Sequence, residues 1–127
     1  MVAKLGAKAL IREIIEAGEE RKAENTVVID VREKTGFTDY FVIFSGNSQR
    51  QVTAIVDNIL ERLKKHKIKP LGVEGYEVGA WALIDFGWVV VHIFQPEARS
   101  YYDIEGFWAD AERVDVAKLG RRKKRAL

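Results

Sequence analysis

The chain is 127 residues long, 47% apolar and free of cysteine, which suits one domain burying roughly two thirds of its unfolded surface and excludes a disulfide framework or a thiolate metal site. No apolar run approaches the roughly 20 residues a membrane helix needs, and the amphipathic, acidic start does not read as a signal or transit peptide, so a soluble cytoplasmic protein is expected. The net charge of +2 divides unevenly: five of the 21 basic residues lie in Arg121–Arg125 and none of the 19 acidic residues follows Asp115, so the rest carries 16 basic against 19 acidic residues, or −3, which argues against a basic nucleic-acid groove.

From Lys4 to about Lys22, Ala7, Leu10, Ile11, Ile14, Ile15 and Gly18 fall on one stripe of a helix. Thr26–Val31 alternates as a strand does, and after turn residues Gly36 to Asp39 the run Tyr40–Phe44 is apolar on both faces, a strand to be covered by helices on each side. Ser45-Gly46-Asn47-Ser48 leads into a second helix, whose Val52, Ile55, Val56, Ile59, Leu60 and Leu63 keep the i, i+3, i+4, i+7 spacing. Ser48 and Gln51 fit a capping box, and Lys64 to Lys67 suit the carbonyl end of the helix dipole.

Leu71–Val73 reads as a short edge strand, and Gly75 and Gly79 as a loop before two strongly apolar runs, Ala80–Ile84 and Trp88–Phe94, parted by Asp85-Phe86-Gly87. After Gln95-Pro96, Ser100 is expected to cap a last helix through roughly Glu112 that buries Tyr101, Ile104, Trp108 and Ala111. The pattern predicts an α/β domain over residues 1–113, a mixed five-stranded sheet packed by helices, followed by a basic, flexible tail over 114–127.

Gly46-Asn47-Ser48 could cradle a phosphate at a helix start, but no phosphate-loop lysine follows, and an ordinary capped loop is the better reading. Asp85-Phe86-Gly87 spells a kinase motif whose companion signatures are absent; Asp85 is expected to fix the turn through backbone N–H groups, with partner binding as the sharper alternative. His92 shares its alternation with Trp88, Val90 and Phe94; a metal site is disfavoured because the only other histidine is His66, which leaves a satisfied buried histidine and an interface contact about level. Tyr and Trp can also anchor interfaces, and with Asp85 and Glu74 they would suit a basic protein surface. Arg121–Arg125 reads as a solvated tail or as an arm for RNA phosphates.

Several separated blocks agree with one known family. Thr38–Ile43, Gly46-Asn47-Ser48, Glu74-Gly75, Trp81, Leu83, Asp85, Gly87, Val90–Phe94, Arg99, Tyr101-Tyr102, Glu105 and Trp108 stand in the usual order of the ribosomal silencing factor, or Iojap, family, which the chain resembles over roughly residues 3–113. The resemblance implies a nucleotidyltransferase-like α/β fold without transferase activity or cofactor. It further implies a translational repressor that binds the large ribosomal subunit through a protein of the L-fourteen family and hinders small-subunit joining, when nutrients are scarce. Carried over by position, the partner-binding candidates are Glu74, Trp81, Asp85, His92, Arg99, Tyr101 and Tyr102. Where many relatives place an acidic residue after the glycine of the turn, this chain has Trp88, which would exchange an electrostatic contact for an apolar one. Two competing readings are a nucleotidyltransferase using Gly46-Asn47-Ser48 for phosphate and Asp85 for metal, and a homodimeric scaffold pairing through a sheet edge.

Overall fold

A computed structural model describes residues 5–119. The elements run α1 (Ala7–Glu20), β1 (Glu24–Asp30), β2 (Tyr40–Ser45), α2 (Gln49–Lys64), β3 (Gly72–Glu74), β4 (Trp81–Asp85), β5 (Val89–Phe94), α3 (Pro96–Tyr102), α4 (Ile104–Phe107), β6 (Glu112–Val114) and α5 (Val116–Leu119). The strands form one sheet in the order β3-β4-β5-β2-β1-β6. All neighbours are antiparallel except the central pair β2 and β5. Those two strands are buried along their whole length, as runs without polar alternation must be.

One face of the sheet carries Val28, Val42, Phe44, Ala82, Ile84, Val91 and Ile93 and is covered by the apolar stripes of α1 and α2. Each fully buried Ile or Leu in this layer contributes about 1.5–3 kcal/mol through water exclusion. The α1 helix presses so closely on β2 that a Cβ on Gly18 would stand 2.7 Å from the Phe44 ring, so only glycine fits. The start of α2 closes on itself as expected: Ser48 Oγ accepts the Gln51 N–H at 3.0 Å, and Gln51 Oε1 accepts the Asn47 N–H at 2.6 Å. Gln51 Nε2 also donates to the Arg21 and Lys22 carbonyls, at 3.1 and 3.0 Å, and so clips the end of α1 to the start of α2.

Three expectations are corrected. The sheet has six strands rather than five, because Glu112–Val114 pairs with β1 at the edge. The last helix does not run from Ser100 to Glu112: it begins at Pro96 and stops at Asp103, whose φ of 47° is left-handed and whose carboxylate accepts the Gly106 N–H at 3.1 Å to start α4. Tyr101 is 81% exposed instead of buried. Val114 and Leu119, in the first residues of the expected tail, pack on the α1 side of the sheet, while Arg121–Arg125 lies outside the described residues.

Candidate functional site

The second face of the sheet is covered unevenly. Over β1, β2 and β5, the residues Ile29, Phe41, Ile43 and Phe94 are buried with the help of Ala98, Ile104 and Trp108 from α3, α4 and the turn that follows. Over β3 and β4 the same face stays open, since Trp81, Leu83 and Asp85 are only half-buried and Glu74 is exposed. Strand register puts these four side chains together: Glu74 stands opposite Leu83, Leu83 opposite His92, and Asp85 opposite Val90.

Trp81 is the centre of this half-face. Its indole lies at 25° to the Phe94 ring with centroids 4.9 Å apart, and Tyr102 of α3 approaches to 4.6 Å. Tyr101 meets Tyr102 edge to face at 5.0 Å, so the two tyrosines, 81% and 52% exposed, form a rim beside the tryptophan. Below, the Trp81 indole N–H donates to His92 Nδ1 at 3.1 Å. Burial pushes the His92 imidazole down to about 4, so the ring is neutral at physiological pH.

Arg99 works from below the rim. Its guanidinium donates to both Glu105 oxygens, at 2.8 and 3.0 Å, and to Ser45 Oγ at 2.8 Å, which ties α3 to α4 and to the end of β2. The hydrogen bond from Arg99 holds the Glu105 carboxyl below its usual range against the opposing effect of burial. Asp85 fixes the turn, as its residue type suggests: Oδ1 accepts the Gly87 N–H at 2.8 Å, and Gly87 takes a φ of +95°.

Of the seven residues named from the sequence, Glu74, Trp81, Asp85, Tyr101 and Tyr102 thus frame one open surface, while His92 and Arg99 lie beneath it as supports. Sequence reasoning passed over Leu83 as a contact, although the alternation Trp81, Leu83, Asp85 places it on the same face. It also passed over two large apolar side chains at the adjoining end of the sheet, Leu71 and Phe37, which are 75% and 69% exposed; Trp88, the apolar residue that the sequence sets after the turn glycine, is 48% exposed. In the Gly46-Asn47-Ser48 turn the Asn47 N–H donates to Gln51 Oε1 in the capping box, and the Gly46 N–H donates to the Phe94 carbonyl at 2.8 Å. Among the described residues no group of three or more His, Asp or Glu side chains converges as a metal site, and no helix is long and apolar enough to cross a membrane.

Comparison with known proteins adds four findings. The family model described as "Ribosomal silencing factor during starvation" matches residues 4–126. A ribosomal silencing factor RsfS of Halalkalibacterium halodurans is 36% identical over 84% of this chain and 92% of its own length. The mouse protein named "Mitochondrial assembly of ribosomal large subunit protein 1" is 34% identical over 82% of this chain and 47% of its own length. A crystal structure of a protein from Chromobacterium violaceum superposes with a TM-score of 0.81 at 31% identity, covering 97% of this chain and 94% of that one.

Proposed function

Because the chain belongs to the ribosomal silencing factor family, we propose that it represses translation by docking its open half-face on the large ribosomal subunit, against the protein of the L-fourteen family, so that the small subunit is kept from joining. The observation that carries this reading is the uncovered patch over β3 and β4, where Trp81, Leu83 and Tyr102 offer apolar area on the same side of the sheet as the carboxylates of Glu74 and Asp85. Rigid aromatic anchors inside a polar frame are what interface energetics favour, and the acidic frame fits a basic ribosomal protein. The family name describes a regulator rather than a catalyst. The name of the mouse relative speaks for the large subunit as the partner. To Arg121–Arg125 we assign a salt-dependent contact with ribosomal RNA phosphates.

Steric occlusion needs no chemistry, only residence on the subunit surface. The test is to pellet purified large subunits with the protein and then add small subunits. The protein should co-sediment and lower the yield of joined ribosomes; a protein that stays in the supernatant, or that binds without reducing joining, would refute the proposal.

A further inference from the structure

His92 has one satisfied and one unsatisfied nitrogen. Its Nδ1 accepts the Trp81 indole proton at 3.1 Å, while Nε2 is buried without a hydrogen-bond partner among the described residues. A nitrogen that accepts carries no proton, so the ring is the neutral Nε2–H tautomer. Phe41 meets the imidazole edge to face at 5.0 Å and Phe94 lies nearly parallel to it at 6.0 Å, so the ring plane is fixed from two sides. Trp81 is not the residue directly opposite His92; Leu83 is, and Trp81 stands opposite Phe94. The indole therefore reaches diagonally across the ladder to find its acceptor.

That reach selects an orientation. Ring contacts with Phe94 and Tyr102 tolerate an indole turned over about its own plane, because both flips present an apolar face to them. Only one flip brings Nε1 to Nδ1. We infer that His92 is a positioning residue for docking: buried under the open half-face, it holds Trp81 by its indole N–H in the one orientation the ribosomal partner meets. The inference rests on the reading of that half-face as the ribosome contact. Were His92 only a space-filler, the smaller asparagine would bind no better than phenylalanine in its place.

The experiment compares His92→Phe, His92→Asn, Trp81→Phe and the double variant Trp81→Phe with His92→Phe, each checked for folding by circular dichroism. Asparagine can place its Oδ1 where Nδ1 stands and so restores an acceptor. His92→Phe should bind large subunits about tenfold more weakly, the cost of one lost hydrogen bond to an anchor, and His92→Asn should recover most of that loss. In the Trp81→Phe background, which has no indole N–H, His92→Phe should change binding little further. A partner-free readout runs beside it: the Trp81 indole N–H, identified by NMR through its absence in Trp81→Phe, should exchange slowly with solvent in the parent and faster in His92→Phe. Unchanged indole exchange, an additive double variant, or a folded His92→Asn no better than His92→Phe would overturn the inference. Should His92→Phe fail to fold, His92→Leu removes the same acceptor. If the parent chain itself does not bind large subunits, the docking reading falls, and the exchange measurement still decides whether His92 positions Trp81.

Discussion

Replacing Gly75 by alanine strikes the candidate surface through its backbone. Gly75 has a φ of +74°, a conformation that costs an L-residue about 1–2 kcal/mol. An added Cβ would overlap the Trp81 carbonyl oxygen outright and sit 3.1 Å from the Trp81 carbonyl carbon and 3.3 Å from the Ala82 Cα. None of these atoms ends a flexible side chain, so the clash can be relieved only by moving backbone, of β4 or of the Gly75 turn, and overpacking of that kind costs a further 1–3 kcal/mol or so. Together the two effects predict a loss of about 2–5 kcal/mol out of a typical total of about 5–15 kcal/mol. Urea unfolding should show the midpoint falling with little change in slope. Gly72 is the control: a Cβ there meets nothing within 4 Å among the described residues, and Gly72→Ala should stay within about 0.5 kcal/mol of the parent. A Gly75→Ala protein as stable as the Gly72→Ala protein would refute the argument from close approach.

Other outcomes follow from the same structure. Gln51→Ala should lose about 1–3 kcal/mol in urea unfolding, because it removes the acceptor of the Asn47 N–H from the capping box and leaves the carbonyls of Arg21 and Lys22 without their clip. Stability should also fall in mild acid: unfolded His92 takes up a proton near its ordinary value of 6.5, whereas the buried ring resists down to about 4. The contribution is fully present above pH 6.5 and is lost as pH falls toward 4, at up to about 1.4 kcal/mol per pH unit and so about 3 kcal/mol over the whole window. Denaturation midpoints measured between pH 7 and 4.5 should slope less in His92→Phe than in the parent, and parallel profiles would exclude His92 as the source.

Local patterns made much of this molecule legible. The spacing of Val52 to Leu63 and the Ser48–Gln51 pair describe α2 and its cap because both are short-range effects, settled within a few residues. The two apolar runs are β4 and β5, since their residue types leave few alternatives to a buried strand. Glu112–Val114 carries no such signal; it is a strand only because β1 lies beside it, a long-range pairing. The last helix was misread because the spacing of Tyr101, Ile104 and Trp108 outweighed the cap chemistry of Asp103, whose side chain restarts the chain at Gly106. For the candidate site the individual residues were visible but their division of labour was not. That Trp81 lies on the face while His92 lies beneath it follows from a diagonal cross-strand contact, and register cannot be read from composition.

The most direct measurement is the light scattered as purified small and large subunits join, recorded with the parent protein and with Leu83→Asp. Leu83 is half-buried on the open side of β4, so a carboxylate there can reach water while placing charge on the patch beside Trp81. The parent should suppress joining and the folded Leu83→Asp protein should not. Equal suppression by both would show that the β3–β4 half-face is not the surface that meets the ribosome.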